Sequence, residues 1–154
     1  AHHDMQAEVR HLAPNCTSEV AVRQLAADTA KCIFAGKFYV DSIAQQTDAN
    51  MQIKNLLLSP KAEAYSKPEL EIYADDVKCA HGNATGSLSA DELFYLQARG
   101  LDTATARNLL LAGFCSQITE QLPTELAELT TVIEQQINAW ARTFAINSPS
   151  YTAK

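Results

Sequence analysis

Up to about residue 83 the apolar positions follow a period of two or come in short, broken runs. Val20 and Val22 alternate with Ala21 and Arg23, while Cys32 and Phe34 precede Gly36, and Phe38 and Val40 follow it. Leu70, Ile72 and Ala74 alternate with Glu69, Glu71 and Tyr73. Period two sends successive side chains to opposite faces, so each run predicts a half-buried strand. At Asp75-Asp76 the phase slips, because the next alternating set, Val77, Cys79 and His81, occupies odd positions. A slip of this kind marks a corner, and paired Asp suits a tight turn. No Asn-Gly or Asp-Gly dipeptide precedes residue 83 to close a two-residue hairpin, and no amphipathic helix separates the runs. Short strands joined by corners favour a parallel β-helix or another solenoid. No clean repeat is visible, so on pattern alone a β-sandwich still competes.

After residue 87 the period becomes helical. Ser89-Ala90-Asp91-Glu92 is a capping box, and Gly100 supplies the left-handed residue that ends a short first helix. Asp102 or Thr103 can cap a second helix with the predicted stripe Ala106, Leu110, Phe114 and Ile118. Pro123 suits the first turn of a third, whose stripe runs through Leu122, Leu126, Leu129, Ile133, Ile137, Trp140 and Phe144. Both stripes are expected to be mostly core. The predicted organisation is strands over 1–86, helices over 87–147 and a polar tail over 148–154.

Composition narrows the function. Of 154 residues 47% are apolar and 19% charged, an ordinary globular mix. Twelve Lys and Arg against 18 Asp and Glu leave a formal charge of −6, which gives no general attraction to phosphate backbones or anionic membranes. The longest apolar run, Leu109 to Cys115, is far too short to span a bilayer. Cys16, Cys32, Cys79 and Cys115 are scattered, with no CxxC pair, which fits neither a zinc ribbon nor a disulfide framework and points to a reducing cytoplasm. No GxxxxGK[ST] phosphate loop is present, so ATP hydrolysis by that route is not expected of this chain.

The run Lys67-Pro68-Glu69-Leu70-Glu71-Ile72-Tyr73-Ala74-Asp75-Asp76-Val77-Lys78-Cys79-Ala80-His81-Gly82 resembles the signature of the SufB/SufD family of iron–sulfur cluster assembly proteins, on its SufD branch. Thr47-Asp48-Ala49-Asn50 and Asn55-Leu56-Leu57-Leu58-Ser59 lie upstream as in that family, and Asp91 to Gly100 resembles its first C-terminal helix. Ala106 to Phe114 is similar to its second, and His11, Ala13-Pro14 and Cys16 to a strand and turn. The similarity runs from about residue 7 to about residue 122. A SufB is expected to show a His-Glu-Ala type segment in place of Glu69 to Asp76.

The resemblance implies a right-handed parallel β-helix followed by a small helical domain, in a non-enzymatic scaffold subunit of the cytoplasmic SUF (SufBCD) complex. It implies pairing with SufB through the β-helix and binding of the ATPase SufC through the helices, with residues 90–120 carrying the groove. Family members are much longer, so residue 1 is expected to fall inside the β-helix, and a coil left open there is expected to drive self-association. The same resemblance places His81 at the SufB interface as a ligand of a nascent iron–sulfur cluster held transiently there, with none bound tightly by this portion alone. Imidazole suits iron, and Cys79, two residues away, shares its side of an extended strand, which makes it a second candidate. One Cys and one His cannot complete a four-ligand site, so a partner must supply the rest.

Against these stand plainer readings. A lone Cys-x-His is ordinarily a packed strand-end histidine beside a buried thiol. His2-His3-Asp4 reads as a solvated strand, and His11 as an ordinary strand residue. Asn15-Cys16-Thr17 and Asn83-Ala84-Thr85 match the glycosylation triplet, which is common by chance. An alternative from another class is a β-helix enzyme acting on polysaccharides through Glu69, Glu71, Asp75 and Asp76. Alternation puts Glu71 and Asp75 together and Asp76 on the other side, so no convergent acid–base pair follows.

Overall fold

Six strands of ten residues each build the first part of the chain: β1 His2–His11, β2 Thr17–Ala26, β3 Lys31–Val40, β4 Asp48–Leu57, β5 Glu63–Ile72 and β6 Lys78–Ser87. The computed structural model describes residues 1–147, with side chains at positions 1–120 and 122–143. Odd and even strands separate into two sheets, ordered β1-β3-β5 and β2-β4-β6. The three registered pairs, β1 with β3, β2 with β4 and β3 with β5, are all parallel. The chain thus crosses from one sheet to the other at every corner, an arrangement compatible with a β-helix-like coil and quite unlike a closed barrel. His2 lies opposite Lys31, Thr17 opposite Asp48 and Lys31 opposite Glu63, a structural repeat of about 30 residues. The spacing drifts because the corners differ in length, which hides the repeat from the sequence.

The corners stack on one another. Asn15 and Gln46 share a left-handed backbone at φ 60°. The Asn15 N–H donates to the Gln45 carbonyl at 2.9 Å, and the Gln46 N–H to the Asp76 carbonyl at 2.6 Å. At the opposite corners Asp28 is left-handed at φ 53°, and the Leu58 N–H donates to the Ala26 carbonyl at 2.7 Å. Asn15 and Asp28 are of the residue types that tolerate this conformation best, so these two corners turn without hairpin glycines. The phase slip at Asp75-Asp76 falls in the corner between β5 and β6.

Between the sheets Val22, Phe34, Phe38, Ala49, Met51 and Ile53 form one buried cluster, with Val20 and Leu70 packed against it. Phe34, Phe38 and Ile53 are no more than 1% exposed, each burial contributing about 1.5–3 kcal/mol. Gly36 shares their inward row because Met51 fills the space a larger residue would need. A Cβ there would lie 2.6 Å from the Met51 sulfur and 2.7 Å from the Phe34 ring. His11 closes one end of this interior, sharing a 2.9 Å hydrogen bond between its Nε2 and the Ser18 hydroxyl and meeting Phe38 edge-on.

The other end is polar. Asn55 is 3% exposed and accepts from the Gln24 amide at 3.0 Å. Its own amide donates to Ser66 Oγ and Thr85 Oγ1 at 3.0 Å each and reaches Asn83 Oδ1 at 3.4 Å. One side chain therefore ties β2, β4, β5 and β6 together.

The first compact unit ends at Gly86 and the second begins at Ser87. The second holds α1 Ala90–Ala98, α2 Thr103–Ser116 and α3 Ala127–Asn147. Ser89 caps α1 by accepting from the Glu92 N–H at 3.2 Å, Gly100 follows it at φ 91°, and Asp102 caps α2 through the Thr105 N–H at 3.0 Å. Two expectations need correction. The buried residues of α2 are Ala106, Arg107, Leu111, Ala112 and Cys115, with Leu110, Phe114 and Ile118 only half-buried. Three consecutive leucines span more than half the helix circumference, so periodicity alone did not fix which one faces inward; Leu111 does, and Leu109 is exposed. Pro123 opens a 3₁₀ turn, Thr124–Leu126, ahead of α3. The predicted third-helix stripe is less buried than a core stripe, since α3 packs mainly on α2 while Leu126 of the 3₁₀ turn and Leu129 and Trp140 of α3 are exposed. The Phe144 side chain and the tail from residue 148 lie outside the described residues.

Two stability effects are expected. Gly36→Ala should cost about 1–3 kcal/mol by overpacking against Met51 and Phe34, read as a lower urea midpoint with unchanged slope. Asn55→Ala should cost a similar amount, about 1–3 kcal/mol, by leaving the buried Gln24 amide without its acceptor, measured in the same titration.

Candidate functional site

β6 is the terminal strand of its sheet, so one edge of its backbone has no neighbour in that sheet. Every residue of β6 is exposed except Cys79, which is half-buried and packs against the main cluster and against Val40, Ala44 and Ala74. Cys79, Asn83 and Thr85 belong to the core-facing row, as the bonds from Asn55 confirm for the last two. His81 lies between them in the same alternation, yet it is exposed, because no strand beyond β6 roofs that row. The strand thus presents an imidazole at the open end of the interior, two residues from a thiol.

Burial, and secondarily the Asp48 carboxylate, pushes the Cys79 thiol above its ordinary value. It is therefore a protonated thiol at neutral pH, ready to ligate only if a metal displaces the proton. Among the described residues no group of three or more His, Cys, Asp or Glu converges as a metal site. Cys79 and His81 fit a cluster carried as cargo only if other ligands come from outside this chain. His2 and His3 lie on exposed strand positions, while His11 is buried in its bond to Ser18. All four cysteines are free.

The carboxylates lie elsewhere. Glu69 and Glu71 sit on the outer face of β5, in ion pairs with Lys67 at 2.7 Å and with Lys37. Tyr73 also donates to Glu71 at 2.8 Å. A hydrogen bond from Lys67 holds the Glu69 carboxyl below the ordinary range, and bonds from Lys37 and then Tyr73 do the same for Glu71. A general acid needs the opposite shift. Asp75 and Asp76 belong to the corner, where the Asp76 N–H donates to the Gln45 side chain at 2.9 Å.

The terminal strands differ in a way that sequence reading missed. β5 carries Pro68, which cannot donate to a ladder, whereas β6 has no proline, and its outward row is Lys78, Ala80, Gly82, Ala84 and Gly86. The Asn55 network was missed too, although an Asn in phase with Ala49, Met51 and Ile53 was a readable signal of a buried polar group.

The SufBD core domain model of SUF-system iron–sulfur cluster assembly matches residues 1–114. The chain belongs to the SufBD family. It is 46% identical over 99 residues to the chloroplastic protein ABCI7 of Arabidopsis thaliana, covering 64% of this chain and 21% of that one. It is 35% identical over 122 residues to SufD of Escherichia coli, covering 79% of this chain and 29% of that one. Against SufB of Bacillus subtilis the identity is 28% over 126 residues, with 82% and 27% covered. The chain thus spans roughly a quarter of the length of these SufBD relatives. Its relation to SUF-system iron–sulfur assembly is settled by family, and the β6 segment that carries Cys79 and His81 falls inside the matched region. Among the described residues no helix is long and apolar enough to cross a membrane.

The outer-face carboxylates give a pH dependence with a definite sign. Glu69 and Glu71 sit below their ordinary 4.5, so the unfolded chain binds protons more readily than the folded one. Their contribution is present above that value and is lost as pH falls through the folded values. The urea midpoint should drop as pH is lowered below about 4.5, and Lys37→Met should flatten part of that drop.

Proposed function

We propose that this chain is the C-terminal portion of a SufD-type scaffold subunit, non-enzymatic, working in the cytoplasmic SufBCD complex. In this reading residues 1–86 are the last coils of a right-handed parallel β-helix and residues 87–147 a helical docking domain. The observation that carries the proposal is the exposed His81 on an unroofed terminal strand, within the region matched by the SufBD model. A higher identity to SufD than to SufB supports the branch.

SufB pairs along β6. Its free edge offers backbone donors and acceptors for an added strand, and its outward row of Ala and Gly lets a partner's side chains lie close. Pro68 makes the β5 edge the poorer template. Pairing there brings a partner's ligands against His81, with Cys79 behind it, and completes a transient site for a nascent iron–sulfur cluster. His81 contributes an imidazole nitrogen, and the partner supplies the further ligands, such as a thiolate, that a cluster needs.

SufC docks on α1 and α2. No residue of α1 is buried, and Phe94 and Tyr95 are 71% and 54% exposed, as is Leu109 of α2 at 54%. Exposed aromatics of that size mark a contact surface. ATP turnover belongs to SufC. The polysaccharide-enzyme alternative gains nothing from the geometry, since Glu69 and Glu71 are paired with lysines on an outer face while Asp75 and Asp76 lie in the corner between β5 and β6.

In the full-length protein, His81→Ala should lower cluster formation on the reconstituted complex while SufB and SufC still co-purify. Growth under iron limitation equal to wild type would remove His81 from the ligand set. Capture of SufC by this chain should be lost when residues 88–147 are removed, and Phe94→Ser should weaken it about tenfold, as expected for an interface anchor.

A further inference from the structure

The interior row of β1 begins with two metal donors. His3 and Met5 precede Ala7 and Val9, which pack on the main cluster, in the same alternation. Cys32 likewise precedes Phe34, Gly36 and Phe38 in the inward row of β3. His3 lies opposite Cys32 in the parallel register, so imidazole and thiol rise from neighbouring strands about 5 Å apart on one face. Met5 stands two residues along β1, about 7 Å from His3 on that face. All three border one cavity of about 370 Å³ at the Gln24 end of the interior. His3 is exposed and Met5 is 40% exposed, so neither is held in the core and both side chains have room to turn into the cavity.

The kinds of donor decide the ion. The Cys32 thiol donates to the Leu25 carbonyl at 3.7 Å, and burial keeps it above its ordinary value. It stays a thiol until a metal displaces its proton. Among the described residues no third His, Cys, Asp or Glu converges with His3 and Cys32, so the third donor is the Met5 thioether. Zinc and the harder divalent ions take their ligands from Cys, His and carboxylates, whereas thiolate with thioether favours copper(I). We propose that His3, Met5 and Cys32 bind one copper(I) ion in a three-coordinate site at this cavity. The Cys32 S–H bond breaks as the S–Cu bond forms, the proton leaves to solvent, and no electron is transferred. His3 gives a ring nitrogen and Met5 its sulfur, both neutral. Thiolate and ion therefore cancel in charge, and the half-buried position costs little desolvation. The donors lie in the sheet that lacks Cys79 and His81, and the inference does not rest on the cluster or SufC readings above.

Anaerobic titration of the whole, reduced chain with copper(I), in competition with the chromophoric chelator bicinchoninate, tests it. One tight equivalent is expected, with two sulfurs and one nitrogen around copper in its X-ray absorption spectrum. Cys32→Ser should abolish that equivalent, whereas Cys79→Ser should leave it. Met5→Leu and His3→Gln should each weaken it roughly tenfold or more, with urea midpoints near wild type because both positions are exposed. Zinc(II) uptake should be indifferent to Met5→Leu. A tight equivalent that survives Cys32→Ser overturns the proposal. So does wild-type affinity in both Met5→Leu and His3→Gln, which makes copper a simple adduct of the thiol, or a chain with no tight equivalent at all.

Discussion

The fold depends on how Met51 sits against Gly36. The two sheets approach closely enough that a thioether from β4 occupies the place of a side chain on β3, between Phe34 and Phe38. That interlock works in one register only, because shifting either strand by one residue would turn its inward row to solvent. Parallel pairing then carries the register outward, since β1, β3 and β5 align His11, Val40 and Ile72 as they align Ala7, Gly36 and Pro68. The site inherits its position from this frame: Cys79 packs on the same cluster, and that contact fixes which way the rest of β6 faces.

Polarity along the interior divides structure from function. The middle is apolar and closed, while His11 with Ser18 marks one end and Asn55 with its four partners the other. Buried polar groups that are fully bonded specify a unique arrangement more than they add stability. Where the row runs past the last roofing strand its members become exposed, and His81 is among them. The outer face of the β1-β3-β5 sheet is different again, with lysines paired to glutamates in Lys31–Glu63, Lys37–Glu71 and Lys67–Glu69. Such self-satisfied surface pairs suit a solvated wall better than a docking face.

Much of this was legible in the residues. Alternation at Phe34, Phe38 and Val40, the phase slip at Asp75-Asp76 and the caps at Ser89 and Asp102 all reflect local rules of strand, corner and helix end. The roughly 30-residue repeat was not, because corners of unequal length shift each coil and no single side chain recurs at every turn. Helix faces were read less well than helix ends. A run such as Leu109-Leu110-Leu111 satisfies several helical faces at once, and only the neighbouring helix decides among them. The orientation of Cys79 and His81 along one strand was readable; their unequal exposure was not, since it comes from sheet order.

The spacing of partners along the chain has a kinetic consequence. Each registered strand bonds to one about 30 residues away and to none much farther, so every added coil closes a loop of similar size. Assembly can therefore proceed as a zipper from the first interlocked coil, at a nearly constant entropic cost per step. Taken in reverse, a pull from the β6 end unravels the chain turn by turn, and the imidazole-bearing strand lets go while the aromatic interior behind it still holds.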